Sequence, residues 1–259
     1  MGKSVNKTIA IIMIKWRYMM GIIERCLVGV NAAKEDWKDY DRVYLGEEAC
    51  DTFFLSHAEK IIKMADILTE QGKPITLVLP VVNEVNFSKI INFIHFYKEH
   101  FDGYTDIICN DIGTIKELND IGFHVGFGRI FCRSHMNILK CPNNVFTREM
   151  PYVERIEIDA SSLKYLPQLA FKNVSLISSN VIYGYSNDRC PYHAVLGERE
   201  SRTKCSLFCK KVKSCLNNKY VGETFEFYHN MVIRVGEVGE VPRGINRLIR
   251  YKKEVCHVD

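Results

Sequence analysis

Residues 41–79, DRVYLGEEACDTFFLSHAEKIIKMADILTEQGKPITLVL, read as a strand, a helix and a second strand. Asp41-Arg-Val-Tyr-Leu45 and Ile75-Thr-Leu-Val-Leu79 are short runs of β-forming residues. Between them Phe54, Leu55, Ala58, Ile61, Ile62, Ala65 and Leu68 fall on one helical face, and Gly72 with Pro74 ends that helix. A helix joining two buried strands is the repeating unit of a parallel sheet.

The same alternation continues on both sides. Further strands are predicted at Cys26-Leu-Val-Gly-Val30, Asp106-Ile-Ile-Cys109, His124-Val-Gly-Phe127, Arg155-Ile-Glu-Ile158 and Val174-Ser-Leu-Ile177. A second helix aligns Phe87, Ile90, Ile91, Ile94 and Tyr97, and shorter ones fit Gly113 to Leu118 and Ser162 to Leu169. Seven such strands predict an α/β fold, a (β/α) barrel either complete or partly open. A doubly wound sheet is disfavoured because no Gly-rich dinucleotide turn follows the first strand. Gly126-Phe-Gly128 lacks the third glycine of that motif and reads as a tight strand exit. Walker, zincin and nucleophile-elbow motifs are absent from the sequence.

At 259 residues, 47% hydrophobic and 25% charged, the chain is large and apolar enough to bury a core without staples. That excludes a mini-scaffold and extended disorder. A net charge of +4, from 35 basic and 31 acidic residues, is too mild to argue for nucleic acid, though it leaves RNA open. Residues 1–20 read as an N-terminal extension. Its apolar run Thr8 to Ile14 is cut by Lys15 and Arg17, too short for a membrane span, and no small-residue cleavage site follows. Asn6 stands where a myristoylation signal needs Ser or Thr. Residues 21–180 are expected to form the barrel-like body, and 181–259 a cysteine-rich module with C-terminal strands. A cytoplasmic protein with no membrane span is expected.

Ten cysteines exceed what core packing needs. In a long chain without an export signal they suggest a reducing compartment, with some thiols held as metal ligands. Cys190, Cys205, Cys209 and Cys215 lie among Arg199, Arg202, Lys204, Lys210, Lys211 and Lys213, cations that favour thiolates and offset the charge of a thiolate site. One helical turn would bring Cys205 and Cys209 to one side, and Cys190 could return across a loop. The fourth ligand is open among Cys215, His193 and Cys50. Cys50 qualifies because it follows a strand and the turn Gly46-Glu-Glu-Ala, at the strand end where barrel sites assemble.

Tyr44-Leu-Gly-Glu47 with Ala49-Cys50, the Asn110-Asp111-Ile-Gly113 turn, and Tyr183-Gly184 through Arg189-Cys190 to Arg202-Thr-Lys-Cys205-Ser-Leu-Phe-Cys209-Lys resemble the U-thirty-two peptidase family, also called collagenase-like. The likeness runs from about Cys26 to the C-terminus. It is closest to the smaller ubiquinone anaerobic hydroxylation protein V branch, which acts in oxygen-independent ubiquinone biosynthesis. The resemblance implies that Cys50, Cys190, Cys205 and Cys209 hold an iron–sulfur cluster of the four-iron, four-sulfur type ([4Fe-4S]), with Cys215 in reserve and zinc as the alternative metal. It further implies an oxygen-independent hydroxylation or related redox step on a quinone precursor or RNA, and a paralogous family member as a hetero-oligomeric partner. Ile158-Asp-Ala-Ser161 replaces the family's usual Ser-Arg-Glu-Leu type of strand end, which leaves the substrate open.

Two other classes compete. A peptidase needs a nucleophile with a base. His57, His135, His193 and His229 show no recognised spacing with Asp or Glu, and Cys132 with His135 is the one close Cys and His pair near a strand exit. An RNA-binding module would use the basic run Arg199 to Lys213 and Arg243, Arg247, Arg250, Lys252 and Lys253, beside aromatic Tyr192, Phe208 and Tyr251.

Overall fold

The structure, a computed structural model, describes residues 23–28, 37–101, 105–141, 143–185, 190–192, 205–207, 209, 215–218, 223–236 and 238–251. The strands in chain order are β1 (Glu24–Val28), β2 (Arg42–Gly46), β3 (Ile75–Leu79), β4 (Thr105–Cys109), β5 (His124–Phe127), β6 (Val153–Asp159), β7 (Asn173–Ile177), β8 (Asn180–Tyr185), β9 (Cys215–Asn218), β10 (Glu223–Tyr228), β11 (Met231–Val235) and β12 (Ile245–Tyr251). Eight of them close a barrel in the order β1-β12-β7-β6-β5-β4-β3-β2, every pair parallel. The barrel is thus complete, and the α/β expectation holds. The other four form an antiparallel sheet in the order β8-β11-β10-β9.

Helices cross between successive barrel strands. α1 (Asp51–Ser56) and α2 (Ala58–Glu70) follow β2, α3 (Glu84–Phe101) follows β3, and α4 (Ile112–Ile121) follows β4. α5 (Arg129–Leu139) and α6 (Val145–Glu149) follow β5, and a 3-10 helix at Ala160–Gln168 follows β6. The single helix expected across residues 54–68 is broken at His57, whose backbone (φ −117, ψ 8) leaves the helical region. Pro167 sits inside the 3-10 segment and removes a backbone donor, in keeping with the tighter and shorter coil there.

Alternation along the strands separates two cores. Val43, Leu45, Ile75, Leu77, Ile107, Phe127, Ile156 and Leu176 point outward and pack under Phe54, Ile61, Leu68, Ile90, Ile94, Tyr97, Ile115 and Leu118 of the helices. Each fully buried side chain of this size contributes about 1.5–3 kcal/mol, which makes this shell the main source of stability. Inside the barrel Cys26, Tyr44, Val78, Ile108, Ile177 and Ile249 form a smaller apolar layer. At the N-terminal end of the strands that layer gives way to charge. Arg42 binds Glu24 (Nε to Oε1, 2.8 Å) and faces Asp106 at 3.4 Å, while Arg247 binds Glu24 at 2.6 Å and Asp106 at 3.0 Å. Burial opposes ionisation of Glu24, but Arg42 and Arg247 hold its pKa down at about 2, and Asp106 is lowered by the same cations.

The eighth barrel strand, β12, lies beyond the four-stranded sheet in sequence and fits between β1 and β7. A body read as residues 21–180 therefore lacks one of its staves. Its sequence, INRLIRY, interrupts the apolar residues with Asn246, Arg247 and Arg250, and the buried Arg247 faces the charged interior where an apolar side chain is the usual expectation. The four-stranded sheet lays Ile182, Met231 and Ile233 against Ala49 and Ile130, residues at the exits of β2 and β5. It thereby covers part of the C-terminal mouth. Among the described residues no helix is long and apolar enough to cross a membrane.

Candidate functional site

The mouth is organised by the turn that leaves β2. Gly46 has φ +119, and a Cβ there would lie 2.1 Å from the Val78 carbonyl oxygen, so only glycine allows the chain to turn against β3. That turn drives two consecutive acids, Glu47 and Glu48, into the protein, each about 3% exposed. Glu47 accepts from the Ala49 amide at 3.0 Å and the Tyr228 hydroxyl at 3.2 Å, and pairs with His229 Nε2 at 3.3 Å. Glu48 takes a two-pronged bond from Arg129, with Nε donating at 2.8 Å and Nη2 donating to the other oxygen, and it accepts from the Tyr251 hydroxyl. Arg129 also donates to the Asn180 side-chain oxygen, and its guanidinium lies 5.0 Å from the centre of the Tyr251 ring. Arg129 is placed by Gly128, which a side chain would drive into Asn110. Asn110 in turn accepts from the Ile130 amide at 3.1 Å.

Cys50 stands four residues beyond Gly46 and caps α1, its sulfur accepting from the Phe53 amide at 3.4 Å. Burial raises its thiol pKa, and Cys209, far along the chain, lies within electrostatic reach and raises it further. The Phe53 ring sits 3.9 Å from the ring of His229. His229 is at the tip of the β10–β11 hairpin with φ +50. Burial opposes charging this ring, yet Glu47 and the Cys209 sulfur beside it raise its pKa to about 10.

The four expected cluster ligands are all half-buried, as is the reserve Cys215. The Cys205 sulfur accepts from the Leu207 amide at 3.4 Å, repeating the arrangement at Cys50. Cys190 stands two residues before Tyr192, whose hydroxyl donates to the Phe227 carbonyl and so ties that segment to β10. Cys215 begins β9 opposite Glu226. Cys209 lies within electrostatic reach of Cys50, and among the described residues no three His, Cys, Asp or Glu side chains are gathered as a metal-binding group. The donor chemistry suits a soft metal centre: half-buried thiols, two of them already receiving peptide N–H bonds of the kind that stabilise cluster thiolates.

Below the mouth, Glu157 is 4% exposed, and its Oε1 has no hydrogen-bond partner among the described residues. Burial pushes its pKa up to about 7 despite a hydrogen bond from Tyr44 and the nearby charge of Arg247. At the end of the same strand Asp159 accepts from the Ile182 amide at 3.0 Å and the Ser161 amide at 3.1 Å. The sequence Ile158-Asp-Ala-Ser161 is therefore a joint between barrel and sheet.

Other expected residues fall elsewhere. Cys132 is buried with its thiol against the Phe127 carbonyl, its pKa raised by burial, and His135 Nδ1 bonds the Phe131 carbonyl at 2.9 Å. Each is engaged with its own backbone, so the pair forms no nucleophile and base. Arg247, Tyr192 and Tyr251, offered as nucleic-acid contacts, are turned inward: Arg247 is 2% exposed in the charged layer, and both tyrosine hydroxyls are bonded within the protein. Arg243 and Arg250 are exposed. Arg199, Arg202, Lys204, Lys210, Lys211, Lys213, Phe208, Lys252, Lys253, His193, Cys256 and residues 1–20 lie outside the described residues. Sequence spacing missed the His229 and Glu47 pair, because its members are joined by the fold. Two signals pointed to it: the doubled acid at a strand exit, and the His229-Asn230 tip between two alternating runs.

No protein-family model and no curated protein matches the chain. Among solved structures, that of the U32 peptidase Mk0906 aligns over 90% of this chain and 93% of that one, with a TM-score of 0.47 and 10% sequence identity.

Proposed function

We propose that this chain is an iron–sulfur protein serving an oxygen-independent hydroxylation or related redox step, with Cys50, Cys190, Cys205 and Cys209 as ligands of one [4Fe-4S] cluster. The observation that carries the reading is that Cys50, half-buried at the barrel mouth, lies within electrostatic reach of the half-buried Cys209, far along the chain. When bound, such a cluster supplies or accepts single electrons. The protein's own part is to hold the thiols half-buried, to donate peptide N–H groups to the Cys50 and Cys205 sulfurs, and to place the buried Arg129–Glu48 and His229–Glu47 pairs around the mouth. Completing the ligand group is work for the metal itself, since binding energy and ordering of a site are coupled. A quinone precursor or an RNA base is the expected substrate class, and a paralogous chain the expected partner.

The test is the metal content and visible spectrum of protein purified without air. Iron with equal acid-labile sulfide and a brown colour support the reading, whereas colourless protein with one zinc replaces it with a structural zinc site. Cys50→Ala is expected to abolish the colour and lower thermal stability, while Cys215→Ala leaves both close to wild type. Full colour in Cys50→Ala with loss in Cys215→Ala reverses the ligand assignment.

A further inference from the structure

The inner face of β6 carries a guanidinium and a carboxyl that do not meet. Ile156 and Ile158 pack into the outer core, so Arg155 and Glu157 both turn into the barrel, alternate residues of one strand roughly 6–7 Å apart. Arg155 Nη1 donates to Ser175 Oγ at 2.9 Å and to Asn246 Oδ1 at 2.8 Å, both neutral acceptors. The floor acids Glu24 and Asp106 are taken by Arg42 and Arg247, so among the described residues Arg155 is in no ion pair. Glu157 is buried, and its Oε1 has no partner there either. Three guanidinium groups, Arg42, Arg155 and Arg247, thus stand against the two floor carboxylates, and an ionised Glu157 would balance the third. Arg155 meanwhile holds a seam. Asn246 marks the place where the register of β12 against β7 shifts, and its Nδ2 donates to Asn173 Oδ1 at 2.8 Å. Arg155, Ser175, Asn246 and Asn173 therefore lace β6, β7 and β12 together at the floor.

We propose that Arg155 is a proton-operated latch: with Glu157 neutral it holds Ser175 and Asn246, and with Glu157 ionised it moves to the free Oε1 and releases the floor end of β12. The proton passes to solvent, and no bond but the carboxyl O–H is broken. The proposal does not rest on the cluster reading. The groups facing Glu157 are Tyr44 and Glu48 from β2 and its exit, Arg247 from β12, Arg155 from its own strand and Cys132 from α5. Arg247 is committed to Glu24 and Asp106, which leaves Arg155 as the cation able to move. A buried carboxylate without a partner is costly, and this cost draws the guanidinium across. Burial places the change near neutral pH, at about 7, against the pull of Tyr44 and Arg247. The strand released also carries Arg247, which donates to the Tyr44 hydroxyl at 3.0 Å, and Tyr251, which donates to Glu48 at the mouth.

The experiment follows the full chain, as wild type, Glu157→Gln and Arg155→Gln, by NMR between pH 6 and pH 8. The Glu157 carboxyl carbon and the Arg155 side-chain nitrogens are expected to change with one midpoint in the wild type. Amide exchange at Asn246 to Leu248, corrected for its intrinsic pH dependence and referred to Ile75–Leu79, is expected to lose protection several-fold across that midpoint. Glu157→Gln, nearly the same in shape, is expected to keep full protection throughout. In Arg155→Gln the seam is expected to be open at both ends of the range, and Glu157 to hold its proton about tenfold more tightly, a rise of about one pH unit. Separate midpoints for Glu157 and Arg155 in the wild type overturn the latch, and that reading stands even if Arg155→Gln does not fold. Loss of protection that persists in Glu157→Gln, or an unmoved Glu157 midpoint in a folded Arg155→Gln, overturns it as well.

Discussion

The two ends of the barrel bury the same chemistry in opposite ways. At the N-terminal end, Glu24 and Asp106 share Arg42 and Arg247, so each carboxylate faces two guanidinium groups, and the four residues come from four separate strands. At the C-terminal mouth, consecutive acids are divided. Glu47 goes to the hairpin of the antiparallel sheet, and Glu48 to Arg129 and the last barrel strand. The first arrangement is redundant and closes the barrel floor. The second assigns one cation to each acid and joins separate elements, so that the position of the sheet over the mouth depends on both pairs. Redundant charge makes a plug, while single pairing makes a joint that a ligand or a mutation can shift.

The largest test of that contrast is Arg129→Met. Glu48 would be left buried with the Tyr251 hydroxyl and no cation among the described residues, and breaking such a pair costs about 3–5 kcal/mol. Urea unfolding is expected to show it as a lowered midpoint. Arg247→Met is expected to cost less, about 1–3 kcal/mol, because Arg42 remains against both Glu24 and Asp106. Equal losses in the two variants would erase the distinction between plug and joint.

A third test uses pH. Glu24 has a depressed folded pKa, so its stabilisation is fully present above its unfolded value of about 4.3 and is lost as pH falls toward about 2. Glu157 has the opposite sign. Its pKa is raised to about 7, so the protein binds more protons folded than unfolded between pH 4.3 and 7, and stability declines as pH rises through that window. The slope approaches about 1.4 kcal/mol per pH unit at its steepest. Glu157→Gln is expected to flatten this decline while leaving the acid limb in place, as read from urea midpoints between pH 3 and pH 8. A decline that persists unchanged in Glu157→Gln would mean that the layer between floor and mouth already accommodates a charge.

Most of the barrel was legible in the sequence because its outer core obeys simple alternation. Ile75–Leu79 and His124–Phe127 match their expected limits, and the other five expected strands differ by one or two residues at one or both ends. The eighth strand escaped because Arg247 points inward: a polar residue on the inner face of a barrel strand has the same pattern as a solvated edge. Cys50 was placed at the mouth correctly, since position after a strand fixes location in this architecture. The partners of Glu47 and Glu48 were not legible, because Tyr228, His229, Arg129 and Tyr251 reach them only through the closed barrel and the sheet laid on it. Cys132 and His135 mislead for the converse reason. Proximity of three residues in a helix orients both groups toward local carbonyls and does not couple them.

The late arrival of β12 has a consequence for synthesis. The strands on either side of its slot, β1 and β7, end at Val28 and Ile177, but the strand that fills the slot begins only at Ile245. At a translation rate of roughly 5–20 residues per second, the nascent chain spends on the order of 3–14 s with both edges unpaired and the apolar shell largely complete. Exposed edges of parallel strands recruit other strands. A chaperone that shields this seam on the ribosome, or rapid delivery of the C-terminal segment, would govern the yield of native protein more than the stability of the finished barrel. A ribosome stalled before Ile245 would hold a barrel with seven staves and an open seam.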